Sequence, residues 1–152
     1  MLLRTQAAAA TPPRVYIPHM SEGPMRSGGP CGTKRQARIL IVDDEIPLAR
    51  GIARIVHGMG HKPTTSGPRE AMEKFKSSAF DLVISDLNMP GIDGMRLTSM
   101  ILKVDPSARV IIHTANEQVS KEELIAGGAC DILRKPADIA IVRETIERNL
   151  RK

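Results

Sequence analysis

Residues 81–94 read DLVISDLNMPGIDG. Leu82, Val83 and Ile84 form a short apolar, mainly β-branched run, the pattern of a strand buried on both faces. Ser85 and Asp86 follow at once, Pro90 and Gly91 mark a loop, and a helix is expected after Gly94. A buried strand that ends on a carboxylate and turns into a helix is the repeating unit of an α/β sheet.

The same unit recurs on both sides of this stretch. Ile39–Val42 is an apolar run, followed by a helix over 46–59 with Leu48, Ile52, Ile55 and Met59 on one face. Gly58 and Gly60 end that helix. Residues 62–66 (KPTTS) give a weak strand, suited to a sheet edge. Pro68 is expected to open a second helix with Ala71, Met72 and Phe75 inward. After Gly94 the helix carries Leu97, Met100, Ile101 and Val104 on its buried face and stops before Pro106. Val110–Ile112 is the next strand, and 119–126 a short helix closed by Gly127-Gly128. Ile132-Leu133 is the last strand. A final helix from about Ala137 uses Ile139, Val142, Ile146 and Leu150. Five strands alternating with five helices imply a parallel, doubly wound sheet with helices on both faces.

Charge is distributed unevenly. The 152 residues carry 22 Lys+Arg and 17 Asp+Glu, a formal net charge of +5. Six of the basic residues and one acidic residue, Glu22, fall in residues 1–38, so the remainder is neutral. That segment also holds five of the eleven prolines and shows no periodicity, so residues 1–37 read as a disordered basic tail before a domain at 38–152. Its apolar runs are too short and too interrupted for an export signal. Translation from Met20 or Met25 would remove much of it. No apolar run reaches the ~18–20 residues of a membrane span. The absence of Trp, with one Tyr and two Phe, argues against base-stacking platforms. Two cysteines, Cys31 and Cys130, fit a reducing compartment, hence a cytoplasmic location.

In open α/β sheets ligands bind beyond the carboxyl ends of the strands. Those ends carry Asp43 and Asp44, Asp86, Thr114 and Lys135. Three carboxylates in one crevice repel each other, and a hard divalent cation relieves that repulsion. A carboxylate beside such a cation, with an ammonium and a hydroxyl near it, is equipped to attack phosphorus and form an aspartyl phosphate. No phosphate-cradling glycine motif is present, so a nucleotide substrate is not expected. His57 and His61 read as a surface pair and His113 as packed beneath the site. Cys130 reads as a small buried hydrophobe, and Met72, Met95 and Met100 as core filler.

Together, ILIVDDE (39–45), DLVISDLNMPGIDG (81–94), VIIHTA (110–115) and AGGACDILRKP (126–136) resemble the receiver domain of bacterial two-component response regulators. The resemblance implies a flavodoxin-like fold with strand order 2-1-3-4-5. It implies Asp86 as phospho-acceptor, and Mg²⁺ (or Mn²⁺) held by Asp44, by Asp43 through a water, by Asp86 and by the Asn88 backbone carbonyl. Thr114 matches the switch hydroxyl, Lys135 the lysine that pairs with Asp86 or its phosphate, and Pro136 the residue after a cis bond that shapes the loop. Asn88 and Asn116 occupy places that tune phosphate lifetime.

Two positions depart from the family pattern. Ile132 stands where Tyr or Phe is usual, and Ala137 where Phe often follows the Lys-Pro pair. Ile132 is stiff at χ1, so the readout carried by that ring is expected to be weakened or replaced.

The expected protein is a single-domain response regulator, monomeric or weakly dimeric, with no DNA-binding domain and no membrane association. It would be phosphorylated by a sensor histidine kinase or histidine phosphotransfer protein and act on a downstream protein by contact or onward phosphorelay. It would not be an enzyme beyond its own phosphoryl acceptance and loss. The rival readings are a phosphorylation-independent docking module, an aspartyl-phosphate phosphatase, and nucleic-acid binding through the tail.

Overall fold

Along each central strand, alternate residues face opposite sides of the sheet, and both sides are apolar. Leu40, Val42, Val83, Val110 and Ile112 join one buried cluster, while Ile39, Ile41, Leu82, Ile84 and Ile111 join another. A sheet with two apolar faces needs helices on both. The computed structural model describes residues 35–151. The basic segment read as a tail lies outside them up to residue 34. Ala37, assigned to that segment from sequence, is buried and donates its N–H to His61 Nδ1 at 3.2 Å, so it belongs to the domain.

The elements run β1 (Arg38–Val42), α1 (Ile46–Gly58), β2 (Lys62–Ser66), α2 (Ala71–Ser77) and β3 (Leu82–Asp86). They continue with α3 (Gly94–Val104), β4 (Val110–Thr114), α4 (Lys121–Ala126), β5 (Asp131–Arg134) and α5 (Ile139–Leu150). The five strands are parallel in the order β2-β1-β3-β4-β5, as expected, with the polar β2 at the edge. Ala49, Ile52 and Val56 of α1 and Val142 and Ile146 of α5 cover one face. Residues of α2, α3 and α4 cover the other.

The expected helix faces need correction at several positions. Leu48 is exposed, and α1 instead turns Ala49 inward, a small residue that lets the helix lie close to the sheet. Pro68 lies in the turn before α2, which starts at Ala71. On α3, Met100 and Val104 are exposed, because the inward face is Gly94, Leu97, Thr98 and Ile101. Thr98 can be buried because its hydroxyl donates to the Gly94 carbonyl at 2.7 Å. Ile139 opens α5 and is exposed. His61 is half-buried and accepts the Ala37 N–H, so only His57 of that pair is a surface residue.

Where the helices begin is governed locally. Asp93 accepts the Arg96 N–H and Asp138 the Ala140 N–H, capping α3 and α5. Ser120 and Glu123 bond each other's backbone N–H in a capping box that starts α4.

At the amino end of the sheet, opposite the strand ends that carry the aspartates, α5 is tied to β5 through one carboxylate. Asp131 is buried and its Oδ2 accepts from Arg148 Nη2 at 2.7 Å, Arg148 Nε at 3.2 Å and Asn149 Nδ2 at 2.9 Å. Its Oδ1 accepts the Ile132 N–H at 2.9 Å. Burial alone would raise its pKa. The bonds from Arg148, Asn149 and Ile132 outweigh burial and hold the carboxyl below its usual value. Its stabilising contribution is therefore present above the unfolded carboxylate pKa of about 3.9 and is lost as pH falls through the lower folded value. We expect Asp131→Ala to cost about 1–3 kcal/mol at pH 7, the penalty of leaving buried donors unpaired. Urea unfolding at pH 7 and in acid checks this: the gap between variant and parent narrows as the pH drops.

Candidate functional site

Register brings the chemistry together. Val42 lies beside Ser85 and Asp86 beside His113, while Thr114 lies beside Arg134, the residue before Lys135. The residues that follow β1 and β5 therefore converge on the last residues of β3 and β4 at one sheet edge.

Asp43, Asp44 and Asp86 each place one carboxylate oxygen within 4.8 Å of the others. Asp43 and Asp86 are buried, at 5% and 7% exposure, and Asp44 is exposed. Asp43 and Asp44 do not cap α1 in the ordinary way: Glu45 is the N-cap residue, without a side-chain cap, and Asp43 Oδ1 accepts the Glu45 N–H at 2.9 Å.

Lys135 answers two of the three charges. Its Nζ lies 3.1 Å from Asp43 Oδ2 and 3.2 Å from Asp86 Oδ1. The Lys135–Pro136 peptide is cis, as the resemblance implied. Burial alone would lower the Lys135 pKa, but the hydrogen bond and charge of Asp43, followed by those of Asp86, raise it above the ordinary lysine value. Asp86 also shifts upward. Burial is its largest influence, Lys135 pulls the other way, and the charge of Asp43 adds to the rise. Both ends of one ion pair thus shift upward, because Lys135 is stabilised first by Asp43 while Asp86 is governed by its burial.

The two oxygens of Asp86 differ. Oδ1 accepts the Leu87 N–H at 2.9 Å as well as the ammonium. Oδ2 has no hydrogen bond among the described residues. No buried side-chain oxygen or nitrogen there lacks a partner, so Oδ2 is the atom that reaches solvent.

Thr114 is fully buried, and its Oγ1 accepts the Asn116 N–H at 3.0 Å. Asn116 turns its own Oδ1 onto the Gln118 N–H at 3.0 Å. Asn88 is exposed two residues beyond Asp86. Ile132 is half-buried and packs, with Val119, against the cluster under α3 and α4. His113 is buried, and burial followed by the charge of Lys135 lowers its pKa to about 4, so it is neutral at neutral pH. Cys130 packs against the α1–α5 core, and burial pushes its thiol pKa up. Met72 and Met95 do fill the core, whereas Met100 is exposed.

Two contributors escaped the sequence reading. Gly94 was read only as a helix start, yet a Cβ there would sit 2.3 Å from the Asp86 carbonyl oxygen. Its N–H also donates to the Leu87 carbonyl at 2.7 Å, closing the loop behind Asp86. The signal lay in the Pro90–Gly94 spacing, but only the approach of α3 to β3 shows why glycine is needed. Arg134 has no part in the sequence reading, yet its guanidinium donates to the carbonyls of Asn116 and Val119.

Residues 39–147 match the response regulator receiver domain family. The chain belongs to that family. Among relatives, this receiver is 34% identical over 115 residues to chemotaxis protein CheY of Thermotoga maritima, covering 73% of this chain and 95% of that one. It is 32% identical over 114 residues to the transcriptional regulatory protein ZraR of Escherichia coli, covering 74% of this chain but only 26% of ZraR. Its fold matches response regulator protein TrrA of Thermotoga maritima, solved in complex with Mg²⁺-BeF. That match has a TM-score of 0.69 at 29% identity and covers 75% of this chain and 99% of TrrA. Among the described residues no helix is long and apolar enough to cross a membrane.

Two outcomes test this geometry. Because Asp86 is raised above its unfolded value, its stabilising contribution is present at low pH and lost as pH rises through the folded pKa. We therefore expect Asp86→Asn to raise the melting temperature of the receiver in EDTA at pH 7 by a few degrees, as about 1 kcal/mol would. The gain should vanish near pH 3. Gly94→Ala should cost about 1–3 kcal/mol by forcing apart α3 and the Asp86 backbone, read by urea denaturation.

Proposed function

We propose that this receiver accepts a phosphoryl group on Asp86 from the phosphohistidine of a sensor histidine kinase or histidine phosphotransfer protein. The observation that carries this reading is the asymmetry of Asp86, with Oδ1 held by Leu87 and Lys135 and Oδ2 unbonded among the described residues. An Oδ2 lone pair forms the new O–P bond while the P–N bond of the donor breaks. The electron pair of that bond returns to the imidazole nitrogen, which leaves as neutral imidazole when its other nitrogen carries a proton.

The three aspartates suit a hard cation, because they offer oxygen donors only and their mutual repulsion needs an opposite charge. Mg²⁺ (or Mn²⁺) would be held by Asp43, Asp44, Asp86 and the Asn88 carbonyl. When bound, it supplies positive charge to the oxygens of the transferring group. Lys135 supplies a second positive charge at the same oxygens without leaving its place beside Asp43. Thr114 contributes a hydroxyl donor once its Oγ1 turns from the Asn116 N–H toward the phosphoryl group. His113, buried and neutral, adds no positive charge beneath the site.

The chemistry is self-catalysed phosphoryl acceptance and loss, and no separate substrate is turned over. Output runs by protein contact or by passing the group onward, in the cytoplasm, to a downstream protein. Asn88, where a phosphatase of this chemistry would place a second acid, supports the signalling reading over a hydrolytic one.

Incubation with a small phosphodonor and Mg²⁺ tests the proposal. Intact mass should rise by one phosphoryl group, and the gain should disappear with EDTA or Asp86→Asn. Lys135→Ala should slow it by roughly 100-fold, the scale for removing one donor to a developing oxyanion. A label that persists on Asp86→Asn would overturn the assignment.

A further inference from the structure

The segment between Thr114 and α4 is held from outside by one side chain. Arg134, the last residue of β5, reaches across with both terminal nitrogens: Nη1 donates to the Asn116 carbonyl and Nη2 to the Val119 carbonyl at 2.7 Å. A planar fork that meets two carbonyls three residues apart fixes both the position and the tilt of the loop between them. Inside that loop, the Asn116 N–H donates to Thr114 Oγ1 and the Gln118 N–H to Asn116 Oδ1. These are side-chain turns in which a hydroxyl oxygen and a carboxamide oxygen each accept the backbone N–H two residues on. The Lys135 N–H donates to the Thr114 carbonyl at 2.9 Å, so the main chain of the two strand ends is already joined there. What the Arg134 fork adds is the placement of Asn116, and through it the Thr114 hydroxyl. Arg134 makes no ion pair with a carboxylate among the described residues, so carbonyls are its partners there.

We propose that Arg134 is a positioning residue that latches the β4–α4 loop in the arrangement where Thr114 Oγ1 is turned to the Asn116 N–H, and so restrains phosphoryl acceptance at Asp86. The proposal rests on Asp86 being the phosphoryl acceptor. For the hydroxyl to swing toward a phosphoryl group on Asp86, Oγ1 leaves the Asn116 N–H, the Asn116 carbonyl shifts, and the fork loses that contact. The latch therefore weights the resting conformer. Its removal enlarges the fraction of molecules ready to react without touching the atoms that react. With Ile132 in place of the larger ring usual in the family, the loop is restrained by the Arg134 fork and by Ile132 and Val119 packing, Ile132 and Arg134 lying on the same face of β5.

The test compares the parent receiver with Arg134→Met, which keeps the stem and loses the fork, and Arg134→Lys, which keeps the charge but not the planar fork. Phosphorylation by phosphoramidate with saturating Mg²⁺ is followed by intact mass, and amide exchange by NMR. For Arg134→Met we expect the maximal rate constant to rise about three- to tenfold with the half-saturating phosphoramidate concentration unchanged, because the donor binds both conformers alike and one of them reacts. Protection of the Asn116 amide should drop while amides of β1 and β3 keep theirs, and Arg134→Lys should fall between parent and Met variant. An unchanged or lower rate constant, or Asn116 protection that falls only in step with the β1 and β3 amides, overturns the latch. If the parent takes up no phosphoryl group, the acceptor reading fails, while Asn116 exchange still decides whether Arg134 holds the loop.

Discussion

Lys135 stands between Asp43 and Asp86, and the rest of the domain is arranged to make that possible. Two buried carboxylates 3.1 and 3.2 Å from one ammonium leave a net negative crevice, with Asp44 adding a further charge at its exposed rim. Bringing such groups together opposes folding unless something else holds the frame. The frame here is a parallel sheet whose central strands are apolar on both faces, so strand order and register are set by burial and not by the charged ends. The polar residues that follow each strand are carried to one edge by that register. The resulting site is under-neutralised, which suits it to a hard cation.

Opposite ends of the sheet solve opposite problems. At the amino end, Asp131 is fully answered by Arg148, Asn149 and the Ile132 N–H, and its carboxyl pKa is lowered. That carboxylate anchors α5. At the carboxyl end, Asp86 shares one ammonium with Asp43, and burial pushes its pKa up. The contrast sets the same residue type in two electrostatic environments. A carboxylate whose oxygens are both saturated locks two elements, whereas one with a free oxygen is available for reaction.

Much of this was legible in the sequence. Strand and helix alternation, the edge place of β2 and the strand-end residues Asp43, Asp44, Asp86, Thr114 and Lys135 followed from apolar runs and what came directly after them. Side-chain facing was less legible. Leu48, Met100, Val104 and Ile139 looked like core by size, but Ala49, Thr98 and Asn149 are buried instead. Small residues let helices approach, and buried polar ones are paired at home, Thr98 to Gly94 and Asn149 to Asp131. Neither kind of residue stands out in a hydrophobic pattern. The roles of Gly94 and Arg134 follow no such pattern either, since each acts through a backbone carbonyl brought near by the fold.

By itself, then, the sequence determined the class of the domain and the chemical inventory of its site, because both depend on local order: an apolar run, then a polar residue, then a helix. Only the tertiary structure decided which groups meet. It placed Lys135 against Asp43 as closely as against Asp86, left Asp86 Oδ2 as the unbonded oxygen among the described residues, tied the Thr114 hydroxyl to Asn116, and set the Arg134 fork across the loop. Those pairings join residues up to 92 positions apart, and distance in space between such residues is set by packing and register rather than by any local pattern.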